Sequence, residues 1–322
     1  MISITPKTLQ DLEFNTILQT ISDGCNTDLG KSKALEIIPF NDEVELLNNL
    51  DQTSEYLSSF TNNNAIPNHG FDAVTNELKF LAIEDSQLEV SSFRKIATLS
   101  ETCNNLILFL KKFSEYYPKL YVKSSTVEVT KYIIQAIDEV VDKFGEVKDN
   151  ASPDLLMIRK DMQVLRGKVN QSFGMALSHY NSLGYLDDIK ESFVENRRVL
   201  AVLAMYRKKV RGSILGSSKT GSIAFVEPES TLNYSRELKN LEYEEEKEII
   251  RILKILTATI RPYHDLILQY QTFLSDIDVI ASKAKYARKI NGVLPTITKE
   301  KRLFFRDAYH PILYLSNKIS TS

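Results

Sequence analysis

Residues 152–184 read SPDLLMIRKDMQVLRGKVNQSFGMALSHYNSLG, and this stretch decides the fold. Its start carries three independent helix signals: Ser152 is a capping residue, Pro153 suits the first helical position, and Asp154 faces the positive helix end. Leu155, Ile158, Met162, Leu165 and Val169 then step by 3, 4, 3 and 4, and Phe173, Leu177 and Tyr180 continue the stripe before Gly184. The spacing predicts one helix from Pro153 to Leu183, about 46 Å long at 1.5 Å per residue.

Working towards the C-terminus, a helix of matching length is expected from Thr231 to Arg261, with a kink at Pro262 because an interior proline removes a hydrogen bond and clashes with the preceding turn. Ile249, Ile252, Leu256, Tyr263, Leu266, Tyr270, Phe273, Ile277, Ile280 and Ala284 keep the alternation of 3 and 4, so the apolar seam crosses the proline and runs to about Lys289. Two equal helices flanking an insert describe an antiparallel pair that goes out and returns, with Ile158, Leu165, Ile249 and Leu256 facing across it. Within the insert the period falls to two. Val199–Met205, Val210–Leu215 and Ile223–Val226 are apolar runs separated by turn residues, which predicts a small β unit at the far end of the hairpin.

That unit is distinctive in charge. Between Lys190 and Thr220 lie eight basic residues and two acidic ones, in a chain with 40 basic and 42 acidic residues and a net charge of -2. The overall balance excludes a protein that coats nucleic acid with its whole surface, and leaves a local patch. A +6 patch carried some 45 Å out on stiff helices suits the phosphates of a rod-like polyanion. In the strands only Tyr206 and Phe225 are aromatic, so stacking on single-stranded bases is not expected.

Working towards the N-terminus, the chain up to about Val127 reads as short helices. One carries Leu9, Leu12, Ile17, Leu18 and Ile21, one runs from Thr27 to Ile37, one carries Leu46 to Leu57, and one spans Phe93 to Tyr117 before Pro118. Each is too short to persist alone, so they share one core. Ile133, Ile134, Ile137, Val140, Val141 and Phe144 form a further stripe that closes at Gly145. Eleven glycines and nine prolines are few for 322 residues, which excludes an all-β sandwich. Two cysteines far apart give neither a disulfide framework nor a zinc site, and fit a reducing, cytoplasmic setting. No uncharged apolar run approaches the ~18 residues of a membrane span.

Catalytic motifs are not found. Gly24–Ser32 resembles a phosphate-binding P-loop, but five residues separate its glycines where the motif has four, and a helix precedes it; it reads as a helix break with Thr27 as the next cap. His69, His179, His264 and His310 share no metal-ligand spacing and read as surface or packing residues. Glu242, Glu244, Glu245, Glu246 and Glu248 read as a solvated helix face. No nucleophile is flanked by a base.

Several segments, in order, carry a resemblance. Asp149–Leu155 with Ile158-Arg159, Asn196-Arg197-Arg198-Val199, Gly212-Ser213-Ile214 through Thr220-Gly221-Ser222 to Phe225-Val226-Glu227-Pro228, and His310-Pro311-Ile312-Leu313 resemble the bacterial MutS family of DNA mismatch-repair ATPases. Leu12-Glu13-Phe14 and Leu29-Gly30-Lys31 resemble the amino terminus of its second, recombination-associated subfamily. The resemblance implies a helical core, a long helix pair called the lever, and a β clamp that closes over DNA. It also implies an ATPase domain beginning around the His-Pro motif, with its P-loop beyond Ser322. ATP and magnesium are therefore expected for a full-length relative and no cofactor or metal for this chain, which looks like a fragment or a shortened relative and is not an enzyme by itself.

The expected architecture is mainly α: a helical core over 1–150, an outgoing lever helix over 151–184, a β clamp over 185–229, a returning lever helix over 230–290, and the truncated start of the ATPase domain over 291–322. Phosphate contact is expected from Arg197, Arg198, Arg207, Lys208, Lys209, Arg211 and Lys219. The expected partner is double-stranded or branched DNA, with homodimerisation left open and no membrane. The alternative is a non-enzymatic scaffold that dimerises or docks to a ribonucleoprotein through the long helices.

Overall fold

The computed structural model describes residues 4–300 and 302–320. It is mainly helical with one small antiparallel sheet, and the chain divides into two compact units: residues up to Glu146 with those from Leu256 onward, and Val147–Ile255.

The first unit begins with α1 (Pro6–Asp11), α2 (Phe14–Gly24), α3 (Asp28–Leu35), α4 (Glu43–Ser58), α5 (Thr75–Leu81), α6 (Val90–Lys112), α7 (Pro118–Ser124) and α8 (Tyr132–Val140). Four local expectations are corrected. The first predicted helix is two, because Glu13 adopts a left-handed φ of 52° and turns the chain between α1 and α2. The seven-residue α5 was not foreseen. Pro118 starts α7 at its first position instead of only ending what precedes it, since the missing amide hydrogen is an orphan there in any case. Helix α8 stops at Val140: Val141 is extended, and Phe144, assigned to its apolar stripe, is 80% exposed on a turn.

The second unit holds α9 (Pro153–Ser182), β1 (Leu186–Val194), β2 (Arg197–Leu203), a 3-10 turn (Ala204–Lys209), β3 (Gly212–Ser217), β4 (Ile223–Pro228) and most of α10 (Glu229–Ile260). Ser152 caps α9 as expected, its hydroxyl accepting from the Leu155 amide at 3.0 Å. The partners of α9 show that the return is antiparallel. Ser152 donates to Glu248 at 2.6 Å, Arg159 to Glu245 at 2.7 Å, and Ser172 to the Ser230 carbonyl at 2.9 Å, while the Lys168 ammonium lies 5.9 Å from the Tyr234 ring. Partner numbers fall as α9 numbers rise. Two of the glutamates expected to be solvated are thus turned inward, because Ser152 and Arg159 offer donors there; Glu248 also binds Arg251 at 2.6 Å. The Arg251 and Ser152 bonds hold its carboxyl below the usual range against the upward push of burial.

The sheet order is β1-β2-β4-β3, all antiparallel. Phe173 of α9 anchors it, forming one buried cluster with Leu200, Val202, Val210, Ala224 and Val226. Strand β1 was not foreseen. Its sequence does not alternate, and its register breaks between Leu186 and Glu191, where Lys190 takes a φ of 60°.

After α10, the seam meets Pro262 as predicted: a 3-10 turn (Arg261–Tyr263) replaces the helix there, and α11 (His264–Lys289) continues. Helix α11 is the centre of the first unit, burying Ile267, Tyr270, Phe273, Leu274, Ile277, Ile280, Ala281 and Ala284. Leu303, Phe304 and Phe305 are exposed outside regular structure, and α12 (Pro311–Ser320) begins at the His-Pro motif.

Candidate nucleic-acid interface

The seven cations singled out in the sequence fall into two groups. Arg197 and Arg198 open β2 and are committed to intramolecular partners. Arg197 reaches the buried Glu227 carboxylate at 3.1 Å; Arg198 binds Glu191 at 2.7 Å and stacks 4.5 Å over the Phe173 ring. Their fixed geometry suits tying strands together and to α9.

The other five are exposed. Arg207, Lys208 and Lys209 are consecutive on the 3-10 turn, Arg211 follows Val210, and Lys219 sits in the β3–β4 connection. Among the described residues none of the five pairs with a carboxylate. The turn is pinned at both ends. The Ala204 amide donates to the Ser222 carbonyl at 2.9 Å, tying it to the Lys219 loop, and buried Val210 anchors the other end in the sheet cluster. Arg211 is held through its backbone, its amide donating to the Tyr180 hydroxyl at 3.2 Å and its carbonyl accepting from Glu229 at 3.1 Å. A pinned backbone carrying exposed ammonium and guanidinium groups is the kind of arrangement that suits phosphate contact with little rearrangement.

Tyr206 is not in a strand but on the turn. Tyr185 stacks on it with centroids 4.7 Å apart, and Tyr180 stacks on Tyr185 at 6.5 Å. Sequence reading missed this because α9 and β1 bring Tyr180 and Tyr185 to the turn from outside the strands. The close spacing of two tyrosines around Gly184, with its φ of 69°, was the available signal.

The P-loop-like segment spends its donors on the chain itself. The amides of Asn26 and Thr27 donate to the buried Asp278 carboxylate at 3.0 and 2.8 Å, and the Thr27 hydroxyl does so at 2.7 Å. Gly30 lies so close to Asp278 that a Cβ would strike the carboxylate. The Asp278 carboxyl thus takes up the donors at the head of this segment, and Thr27 caps α3 as expected, accepting from Gly30 at 3.0 Å.

Among the described residues no group of three or more His, Cys, Asp or Glu side chains is placed to hold a metal ion, and no helix is long and apolar enough to cross a membrane. Burial pushes the Cys25 thiol up to about 11 and that of Cys103 up as well, so neither is a ready nucleophile.

No family model matches the chain. It is 27% identical over 315 residues to Endonuclease MutS2 of Alkaliphilus oremlandii, covering 97% of this chain and 40% of that protein. Against Endonuclease MutS2 of Staphylococcus epidermidis it is 27% identical over 314 residues, covering 95% and 40%. Against that of Symbiobacterium thermophilum it is 27% identical over 307 residues, covering 95% and 38%. The chain spans about two-fifths of the length of these curated relatives. Over nearly all of its own length it is therefore similar to MutS2 proteins, in line with the resemblance read from its motifs.

Proposed function

We propose that this chain is the DNA-binding core, lever and clamp portion of a MutS-like mismatch-repair or recombination-control protein, gripping duplex or branched DNA through backbone phosphates. The observation that carries the reading is the group of five exposed cations, Arg207, Lys208 and Lys209 on the pinned turn, Arg211 just after it and Lys219 in the β3–β4 connection, none of them paired with a carboxylate among the described residues. In this reading α9 and α10 are the lever, the sheet is the clamp, and the residues around the His-Pro motif belong to the approach to an ATPase domain. On the same reading ATP and magnesium serve a full-length relative, the nuclease activity is named of the longer relatives, and the part contributed by these 322 residues is binding. A cytoplasmic setting follows from that role. Arg197 and Arg198 shape the clamp from within and contribute less to DNA contact than the turn.

Phosphate contacts are tolerant of sequence and release counterions, so binding falls steeply as salt rises. Changing Arg207, Lys208, Lys209 and Arg211 together to Ala is expected to weaken binding to all duplex sequences alike, and to flatten the slope of log affinity against log salt by about 0.9 for each phosphate that is no longer neutralised. Fluorescence anisotropy across a salt series checks this. Equal affinity and slope in parent and variant would sink the clamp reading and move the weight to a scaffold that docks through its long helices.

A further inference from the structure

The tyrosine column beside the basic turn ends at Tyr206. Tyr180, Tyr185 and Tyr206 are stacked with interplanar angles of 27° and 24°. At one end the His179 ring packs edge-on against Tyr180, 5.0 Å away. At the other, among the described residues, no further ring lies against Tyr206. The Lys209 ammonium is 5.5 Å from the centroids of both Tyr185 and Tyr206. A point equidistant from two stacked centroids cannot lie on the outer normal of either ring, so the Lys209 ammonium does not sit on the outer face of Tyr206. All three rings are half-buried and pack against the sheet cluster. Arg207 and Lys208 are exposed on the same turn.

We infer that the outer face of Tyr206 is a stacking site for an unpaired base, so that the preferred ligand is duplex DNA with an adjoining single-stranded nucleotide. The inference rests on the DNA-binding reading above and specifies the form of DNA. Every base has a π-face, so an aromatic platform beside cations binds unpaired nucleotides with little sequence preference. A base added to the column would bring its phosphate to the rim, where Lys209 stands and Arg207 and Lys208 are near. The Tyr180 hydroxyl holds the Arg211 amide, so platform and cations are parts of one braced unit. A purely structural column would affect stability and leave the choice among DNA forms unchanged.

Two measurements on the 322-residue chain separate these roles. First, blunt duplex and the same duplex with a single-stranded overhang are titrated against the parent, Tyr206→Leu, which keeps apolar bulk, and Tyr206→Phe, which keeps the ring. The parent is expected to prefer the overhang. Tyr206→Leu is expected to lose about 10-fold in its overhang-to-blunt preference, whatever change it makes to blunt-duplex binding, and Tyr206→Phe to retain the preference. Second, 2-aminopurine at the first unpaired position is expected to be quenched when the parent binds, a readout that does not depend on any variant folding. An overhang-to-blunt ratio that is the same in parent and Tyr206→Leu, or unquenched 2-aminopurine in the bound complex, overturns the inference. If blunt-duplex binding still depends on the four cations in that case, only the stacking site falls; a parent that binds neither DNA takes both readings with it.

Discussion

Asp278 on α11 is wholly buried, and the carboxylate's contacts run to a segment some 250 positions earlier in the chain. The break at Gly24 and the cap at Thr27 were readable from the sequence because both are local. The carboxyl that takes up the loop's donors was not, since nothing near Gly24 announces a partner on α11. His69 belongs to the same cluster. It is 2% exposed, with Nδ1 3.3 Å from the Pro67 carbonyl, Nε2 3.9 Å from Asp278, and the Tyr56 ring edge-on at 6.0 Å. Burial lowers the affinity of His69 for a proton, outweighing the Pro67 contact and the attraction of Asp278, while Lys285 acts in the same direction as burial. The unfolded chain takes up this proton near pH 6.5 and the folded chain only at lower pH. The unfolded state then binds more protons as pH falls, so this contribution to stability is complete above about pH 6.5 and declines below it until the folded group also titrates. Urea unfolding at a series of pH values is expected to show the decline in the parent and a smaller one in His69→Gln. Parallel curves for the two would mean that His69 is protonated in the folded state as easily as in the unfolded one.

At the scale of elements, long apolar periods were legible and short or edge elements were not. Helix α9 was placed to within one residue at its C-terminus, because Ser152-Pro153-Asp154 and Gly184 bracket an unbroken stripe. Strand β1 escaped because Asp187, Asp188 and Lys190 interrupt any alternation; it is an edge strand whose Ile189 and Phe193 are each 68% exposed, so no apolar pattern had to be kept. Along the predicted seam, burial is uneven. Leu155, Met162, Leu165 and Phe173 are buried, whereas Ile158, Val169 and Ile249 are only half-buried. Polar links between Arg159 and Glu245 and between Ser152 and Glu248 share the work of holding α9 to α10. Leu165 is 8% exposed, so Leu165→Ala is expected to cost about 2 to 3 kcal/mol, the low end for a leucine removed from a core. A loss within about 0.5 kcal/mol by denaturant unfolding would place Leu165 among surface positions and remove the basis for a paired-helix seam.

At the scale of the molecule, charge is distributed unevenly. Eight basic and two acidic residues lie between Lys190 and Thr220, which leaves the rest of the chain with 32 basic and 40 acidic residues. A net charge of -2 and a pI near 6.2 by themselves predict repulsion from a polyanion. Local contact predicts the reverse once salt screens distant charges, because the screening length is about 10 Å at 0.1 M and about 30 Å at 0.01 M. At 0.1 M a bound polyanion feels chiefly the pinned turn and its neighbours; at 0.01 M the acidic remainder of the chain reaches it too. The chain is therefore expected to be retained on immobilised heparin at pH 7.5 and 0.1 M salt despite its negative net charge. Heparin affinity is also expected to rise less steeply than the counterion-release line at the lowest salt, as the acidic remainder comes within range. The variant with Arg207, Lys208, Lys209 and Arg211 changed to Ala, which takes the net charge from -2 to -6, is expected to pass through heparin and bind an anion exchanger more tightly than the parent. Passage of the parent through heparin at 0.1 M would mean that net charge, not the exposed turn, governs its encounter with polyanions.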